Sequence, residues 1–145
     1  MSAEENKAVA RRYFEEFCTG RRLDLAEELM TADSALHDPQ IPGIQGPRAI
    51  AEVIRVYQEA VQGHWRVDDV RAAEGDHVVV RWTGSGRHTG EVMGLAPTGR
   101  SVEISAISLF RMEGGKNAEH WEVWDTLGFL QQLGAVPEPQ RGGPG

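Results

Sequence analysis

The sequence predicts an α+β fold in which three helices precede an antiparallel sheet. Apolar residues recur at helical spacing through the first 63 positions, whereas strand-like segments dominate from His64 onward. Turn sequences that contain glycine, such as Glu74-Gly75-Asp76, separate these later segments. Helices followed by hairpins are typical of folds that collect their helices on one side of a sheet, so a parallel α/β layout is disfavoured.

Three helices are predicted before the sheet and a short one after it. Ser2, followed by Glu5, forms a capping box that begins the first helix, and Gly20 ends it. Pro47 suits the first turn of the third helix, which Gly63 ends. The predicted helical segments are 2–20, 25–30, 47–63 and 126–133.

The predicted strands follow the third helix. An extended segment around His37 leads into an irregular loop at 39–47, where three prolines and two glycines interrupt any regular pattern. We expect one domain over 1–134 and a disordered tail over 135–145, because the tail is rich in proline and glycine. The predicted strands are 64–70, 77–89, 101–112 and 117–124.

Composition and charge exclude several classes of function. A chain of 145 residues with a formal net charge of −7 repels phosphate backbones and anionic lipids, so neither nucleic acid nor a membrane is an expected partner. The amino terminus lacks the apolar stretch of a secretory signal, which leads us to expect a cytoplasmic protein. Cys18 lies among aromatic residues of the first helix and is expected to be a buried, unreactive thiol.

Both faces of the predicted sheet carry apolar residues. Val78, Val80 and Trp82 share one face of their strand. In the strand 101–112, Ile107 and Leu109 point to the face opposite to that of the other apolar residues. Helices cover only one face of such a sheet, so the apolar residues of the other face need another partner to shield them from water. A homodimer formed through the outer face is the simplest explanation.

Four tryptophans lie in the strand half of the chain. Large aromatic walls suit a cavity for a flat apolar ligand, but aromatic residues also favour strands in an ordinary core. Trp121 and Trp124 differ in parity, so at most one of them faces a pocket. The sequence pattern favours a cavity wall and an ordinary core position equally for the four tryptophans, Trp65, Trp82, Trp121 and Trp124.

Asp125 is the most prominent catalytic candidate. It ends the strand HWEVWD and shares a strand face with Trp121 and Val123. Burial in an apolar cavity raises the pKa of a carboxyl group and fits it for proton transfer near neutral pH. An aspartate just before Thr126 is equally suited to capping the last helix, and spacing alone favours the cap.

The histidines do not predict a metal site. No pair has the spacing of a helical zinc site, and no cysteine ligands accompany them. His37 and His88 lie where the rim of a pocket is expected. Motifs of serine hydrolases, NTPases and dinucleotide enzymes are also missing from the sequence.

Two motifs resemble those of the SnoaL-like polyketide cyclases. One is H-x-G-E-x-M-G-x-x-P-T-G, beginning at His88, and the other is E-H-W-x-x-W-D, ending at Asp125. The segment YFEEF and the LHDP around His37 are also similar, and the resemblance extends almost to Gly134. It implies the fold of nuclear transport factor 2 and scytalone dehydratase, in which a strongly curved sheet and three helices form a cone around an apolar pocket.

The resemblance also implies roles for particular residues. The general acid/base aspartate of the family matches Asp125, and the histidine of the preceding strand matches His88. His120 and Trp121 match positions of the pocket region. We further expect the substrate to contact Tyr13, Phe17 and Tyr57 from the helices and Trp82 or Trp121 from the strands.

The activity implied by the resemblance is an intramolecular aldol ring closure of an apolar, polyketide-type molecule, with no cofactor and no metal. A second reading is an enzyme similar to limonene epoxide hydrolase, which needs a carboxylate, an arginine and a second carboxylate around a water. Arg81 and Asp125 supply only two of these groups. A third reading is a non-catalytic domain that uses the same cavity to bind a metabolite.

Overall fold

The α+β class is confirmed by a computed structural model, which describes residues 2–138. The helices α1 (Ala3–Arg12), α2 (Ala26–Leu29) and α3 (Pro47–Val61) lie in the first half of the chain, and α4 (Thr126–Gln132) follows the last strand. The six strands are β1 (Met30–Asp38), β2 (Ile41–Gln45), β3 (His64–Ala73), β4 (His77–Arg87), β5 (Ser101–Glu113) and β6 (Lys116–Trp124).

The six strands form one curved, open sheet in the order β2-β1-β6-β5-β4-β3. The expectation of a purely antiparallel sheet is wrong in one place, because β1 runs parallel to β6. The predicted loop at 39–47 also contains β2, which forms a hairpin with β1. Pro42 lies in β2 without breaking the pairing because β2 is an edge strand, where a missing N–H is tolerated.

The first helix begins at the predicted cap, where the Ser2 hydroxyl accepts a hydrogen bond from the Glu5 amide. Beyond α1 the chain continues as a π-helical segment, Tyr13–Thr19, which ends as the Gly20 amide bonds the Glu15 carbonyl. Phe14 and Phe17 of this segment are completely buried against the inner face of the sheet. The first helical unit therefore supplies much of the core.

Helix α3 is anchored at its carboxyl end by the segment that follows β4. The amides of Thr89 and Gly90 both donate to the Ala60 carbonyl at 2.8 and 2.9 Å. A side chain at Gly86 would collide with the Val61 carbonyl oxygen, so glycine is required for this close approach. The anchoring holds the carboxyl end of α3 close to β4, beside the cavity described below.

The part of the predicted tail that the structure describes turns back onto α4. The Ala135 amide donates to the Leu130 carbonyl at 2.9 Å, and the Gln131 side chain donates to the Pro137 carbonyl at 3.1 Å. These two hydrogen bonds hold 135–137 against the end of α4. The remainder of the predicted tail, 139–145, lies outside the described residues.

Candidate active site

An apolar cavity lies between α3 and the inner face of the sheet. Its empty space is about 580 Å³, a figure that includes open solvent at the mouth. Aromatic and aliphatic side chains form most of the wall, and two carboxyl groups interrupt it. The lining includes Asp38, Tyr57, Trp65, Trp82, Glu122 and Trp124.

Strand β6 alternates between the cavity side and the outer face. His120, Glu122 and Trp124 share the inner parity: His120 is fully buried, and the other two line the cavity. Trp121 and Val123 point outward and remain 36% and 66% exposed. Successive strand residues face opposite sides of a sheet, so the inner face carries a glutamate where the outer face carries valine.

Glu122 is an acid held in a largely apolar wall. Its side chain is only 14% exposed, and it lines the cavity. Burial raises the pKa of Glu122 well above its usual value, and the hydrogen bond and negative charge of neighbouring Asp38 raise it further. A carboxyl group with a raised pKa is suited to accept and return a proton near neutral pH.

Asp38 lies beside Glu122 because β1 and β6 are parallel. The register pairs Leu36 with His120 and His37 with Trp121, so the next residues along the two strands are Asp38 and Glu122. Asp38 is 5% exposed. Its Oδ2 accepts a hydrogen bond from Trp124 Nε1 at 3.1 Å, and its Oδ1 accepts one from the Gln40 amide at 2.8 Å. N–H groups of Trp124 and Gln40 thus hold both carboxyl oxygens of Asp38 in place.

Tyr57 brings a phenol to the same wall from α3. Its ring meets the Trp124 indole edge to face, with 6.1 Å between the ring centroids. Burial raises the pKa of Tyr57 to about 12, with smaller contributions from the charges of Asp38 and Glu122. The phenol therefore stays protonated and can donate a hydrogen bond to a bound oxygen.

A second, fully buried polar layer lies behind Glu122. Trp82 Nε1 donates to Ser108 Oγ at 2.9 Å, and Ser108 Oγ lies 2.7 Å from His120 Nε2. The same His120 nitrogen is 3.6 Å from Glu122 Oε1. Burial, and secondarily the charge of His37, lowers the pKa of His120 to about 3, so this imidazole is neutral.

The structure places Asp125, the predicted acid/base residue, outside the lining of the apolar cavity. Asp125 follows the outward parity of Trp121 and Val123, its side chain is exposed, and it does not line the cavity. Its Oδ1 accepts a hydrogen bond from the Gly128 amide at 2.9 Å, so it caps α4. The structure thus gives Asp125 the alternative role that its spacing favours.

The two predicted rim histidines also lie away from the cavity. His37 is on the outer face, where its Nε2 is 2.8 Å from Glu119 Oε2 and its ring stacks on Trp121. His88 is completely buried, and its Nδ1 accepts a hydrogen bond from the Thr98 amide at 3.2 Å. His37 and Trp121 instead line an open groove on the outside of the sheet.

The predicted ligand contacts divide into two groups. Tyr57 and Trp82 line the cavity. Tyr13 and Phe17 do not, because they pack on each other in the core with 5.3 Å between their ring centroids. His120 lies behind the cavity wall, with its ring stacked on Phe110 at 4.1 Å.

Arg81 is on the opposite face of the sheet from the cavity. The hypothesis of an enzyme similar to limonene epoxide hydrolase requires this arginine in the site. Arg81 pairs across the strands with exposed Ile107, is itself 59% exposed, and lies 3.9 Å from Asp68. Within residues 2–138, no group of histidine, cysteine, aspartate and glutamate side chains is arranged to hold a metal ion. The helices of this part of the chain are too short or too polar to span a membrane.

Comparison with known proteins gives one consistent result. The family profile described as SnoaL-like polyketide cyclase matches residues 8–133. The aklanonic acid methyl ester cyclase DnrD of Streptomyces peucetius is 30% identical over 138 residues, which cover 91% of this chain and 93% of that protein. The aklanonic acid methyl ester cyclase AcmA of Streptomyces galilaeus is 30% identical over 97% of this chain and 99% of its own length. The structure of TsrD from Streptomyces laurentii superposes with a TM-score of 0.82 at 26% identity, covering 94% of this chain and 99% of that one.

Proposed function

The chain belongs to the SnoaL-like polyketide cyclase family, and from this premise we propose that it closes a ring in a polyketide-type ester by an aldol reaction at Glu122. The observation that carries the proposal is the position of Glu122 in an apolar cavity, next to Asp38. Glu122 takes the acid/base role that the sequence motif alone assigns to Asp125.

The proposed reaction needs one proton carrier. The Glu122 carboxylate removes a proton from a carbon flanked by carbonyl groups, which leaves an enolate. The enolate carbon then bonds to a second carbonyl carbon of the same molecule, and the π electrons of that carbonyl move onto its oxygen. The Glu122 carboxyl group returns the proton to this alkoxide, so no atom is gained or lost.

Asp38 and Tyr57 are proposed to support this step differently. The negative charge of Asp38 raises the pKa of Glu122, which makes the Glu122 carboxylate a stronger base for a carbon-bound proton. The Tyr57 phenol, which stays protonated, is the proposed donor to the oxygen that carries enolate charge. The aromatic walls fold the flexible substrate into a reactive shape, and orientation of this kind contributes on the order of 7 kcal/mol or more.

The cavity also supports an ester as the substrate. Among residues 2–138, the lining includes Asp38 and Glu122 but neither lysine nor arginine. A free carboxylate on the substrate would lie near like charge without a lysine or arginine to pair it, which is costly in an apolar site. A methyl ester removes that charge, and the curated relatives DnrD and AcmA are named as cyclases of a methyl ester.

Cyclisation of aklanonic acid methyl ester, the compound in the names of those relatives, is the direct test. Purified protein is incubated with this ester, and the product is separated by chromatography and identified by mass and NMR. Ring closure at an unchanged mass, lost in Glu122→Gln, supports the proposal. Tight binding of the ester without ring closure in the parent would instead favour the hypothesis that the protein is a non-catalytic domain that binds a metabolite.

A second copy of the chain is the proposed cover of the outer face. Ile107 and Val123 pair across β5 and β6 and are 54% and 66% exposed, and Trp121 lies beside them on the same face. Large apolar side chains exposed on one sheet face are typical of a protein interface. A two-fold dimer would bury this patch while leaving the inner cavity with its own chain.

A further inference from the structure

Ser108 lies directly across the ladder from Glu122. The register of β5 and β6 pairs the two residues, and both have inward parity. On its other side Ser108 pairs with Val80 of β4, whose side chain offers no hydrogen-bond acceptor. Ser108 itself is completely buried, so its hydroxyl has no access to bulk water.

The tautomer of neutral His120 follows from its two nitrogens. Nδ1 is buried and has no hydrogen-bond partner among the described residues, whereas Nε2 faces Ser108 Oγ at 2.7 Å and Glu122 Oε1 at 3.6 Å. A buried N–H without an acceptor is less tolerable than an empty lone pair. The proton therefore lies on Nε2, from which it is donated to Ser108.

This tautomer decides where the Ser108 hydroxyl points. A hydroxyl oxygen accepts two hydrogen bonds and donates one. Ser108 Oγ accepts from Trp82 Nε1 at 2.9 Å and from His120 Nε2, so both acceptor positions are filled. Only the O–H remains, and the residue directly across the ladder is Glu122.

We propose that Ser108 is a positioning residue whose hydroxyl, held by Trp82 and His120, donates a hydrogen bond to the Glu122 carboxylate and so sets the pH at which Glu122 becomes a base. The importance of this for catalysis rests on the proposed function, in which Glu122 carries the proton. The hydrogen bond favours the charged form of Glu122, whereas Asp38 favours the protonated form.

The other titratable groups near Glu122 do not replace this donor. Tyr13 and Cys18 of the π-helical segment stay protonated, because burial raises the pKa of each. Tyr57 of α3 also stays protonated, and His120 stays neutral. Asp38 of β1 is therefore the charged neighbour that Ser108 opposes.

The test measures the Glu122 carboxyl group directly and needs no substrate. Side-chain carbons of glutamate are labelled with ¹³C, the Glu122 signal is identified by its loss in Glu122→Gln, and its midpoint is followed by NMR from pH 4 to 10. In Ser108→Ala we expect the midpoint to rise by about one pH unit, since a hydrogen bond to the charged form is lost. Ser108→Thr keeps the hydroxyl and should stay near the parent value.

Ser34→Ala is the matched control. Ser34 is also completely buried on the inner face, but it lies four residues before Asp38 on β1. We expect no change of the Glu122 midpoint in this variant. If Ser108→Ala does not fold, Ser108→Cys replaces it, because a thiol is a weaker donor and should move the midpoint in the same direction.

The outcomes separate this inference from the proposed function. An unchanged or lower Glu122 midpoint in Ser108→Ala, or in Ser108→Cys where it replaces that variant, overturns the role of Ser108, whether or not the parent closes rings. A raised midpoint together with a parent that does not cyclise the ester keeps the role of Ser108 and removes the proposed reaction. A parent Glu122 that never ionises between pH 4 and 10 overturns both.

Discussion

Replacing Glu122 with glutamine tests the candidate site with the smallest change of shape. The amide keeps the volume of the side chain and can still hydrogen-bond Asp38, but it cannot accept a proton at neutral pH. We expect turnover of the ester to fall by about a hundredfold or more, which corresponds to about 2.7 kcal/mol of lost transition-state stabilisation. Product formation measured by chromatography under saturating ester gives this number.

The same variant should change how stability depends on pH. The pKa of Glu122 is raised on folding, so the folded protein holds a proton that the unfolded chain releases above about pH 4.5. The parent therefore loses stability as pH rises from about 4.5 through the raised pKa, and Glu122→Gln lacks this loss. Urea unfolding at several pH values should show the variant gaining on the parent as pH increases.

Asp125 provides the matched control for the carboxyl group. Asp125→Asn keeps a good helix cap and should retain parent stability and turnover, because the side chain is exposed and outside the cavity. Asp125→Ala should lose about 1 kcal/mol of stability with the cap, but no catalytic group. An inactive Asp125→Asn beside an active Glu122→Gln would refute the assignment and return the acid/base role to Asp125.

Three further outcomes are expected. Buried His120, with its pKa lowered to about 3, should contribute a loss on the order of 3 kcal/mol of stability between pH 6.5 and pH 4, because the unfolded chain takes up a proton over this range that the folded protein does not. Urea unfolding should show that His120→Gln lacks this part of the pH dependence, and the same pH dependence in parent and variant would contradict it. Light scattering should give twice the 16.0 kDa monomer mass for the parent and the monomer mass for Val123→Glu; a parent that is already monomeric at micromolar concentration argues against the dimer. Trp124→Phe should cost about 1.5 kcal/mol of stability by removing a donor to Asp38, and an unchanged urea midpoint would show that this bond contributes little.

Local sequence signals predicted most of the fold because each is decided by nearby residues. The capping pair of Ser2 and Glu5, Pro47 at the start of α3 and the glycine turns between later strands all act within a few positions. The parallel pairing of β1 with β6 was missed because it joins residues more than 80 positions apart. The edge strand β2 was hidden by its proline and glycine, which resemble a loop when pairing with β1 is unknown.

Asp125, the acid predicted from the sequence, lies on the strand face opposite to the one that lines the cavity. Counting alternate residues correctly puts Asp125 with Trp121 and Val123, but the count does not say which parity faces inward when both faces carry apolar residues. The structure decides this, because Trp124 is turned inward and donates to Asp38. Because alternate strand residues face the same side, Glu122 then faces the cavity with Trp124, and Asp125 faces solvent. A long-range contact between β1 and β6 therefore selects which of two nearby carboxyl groups is in position to carry a proton.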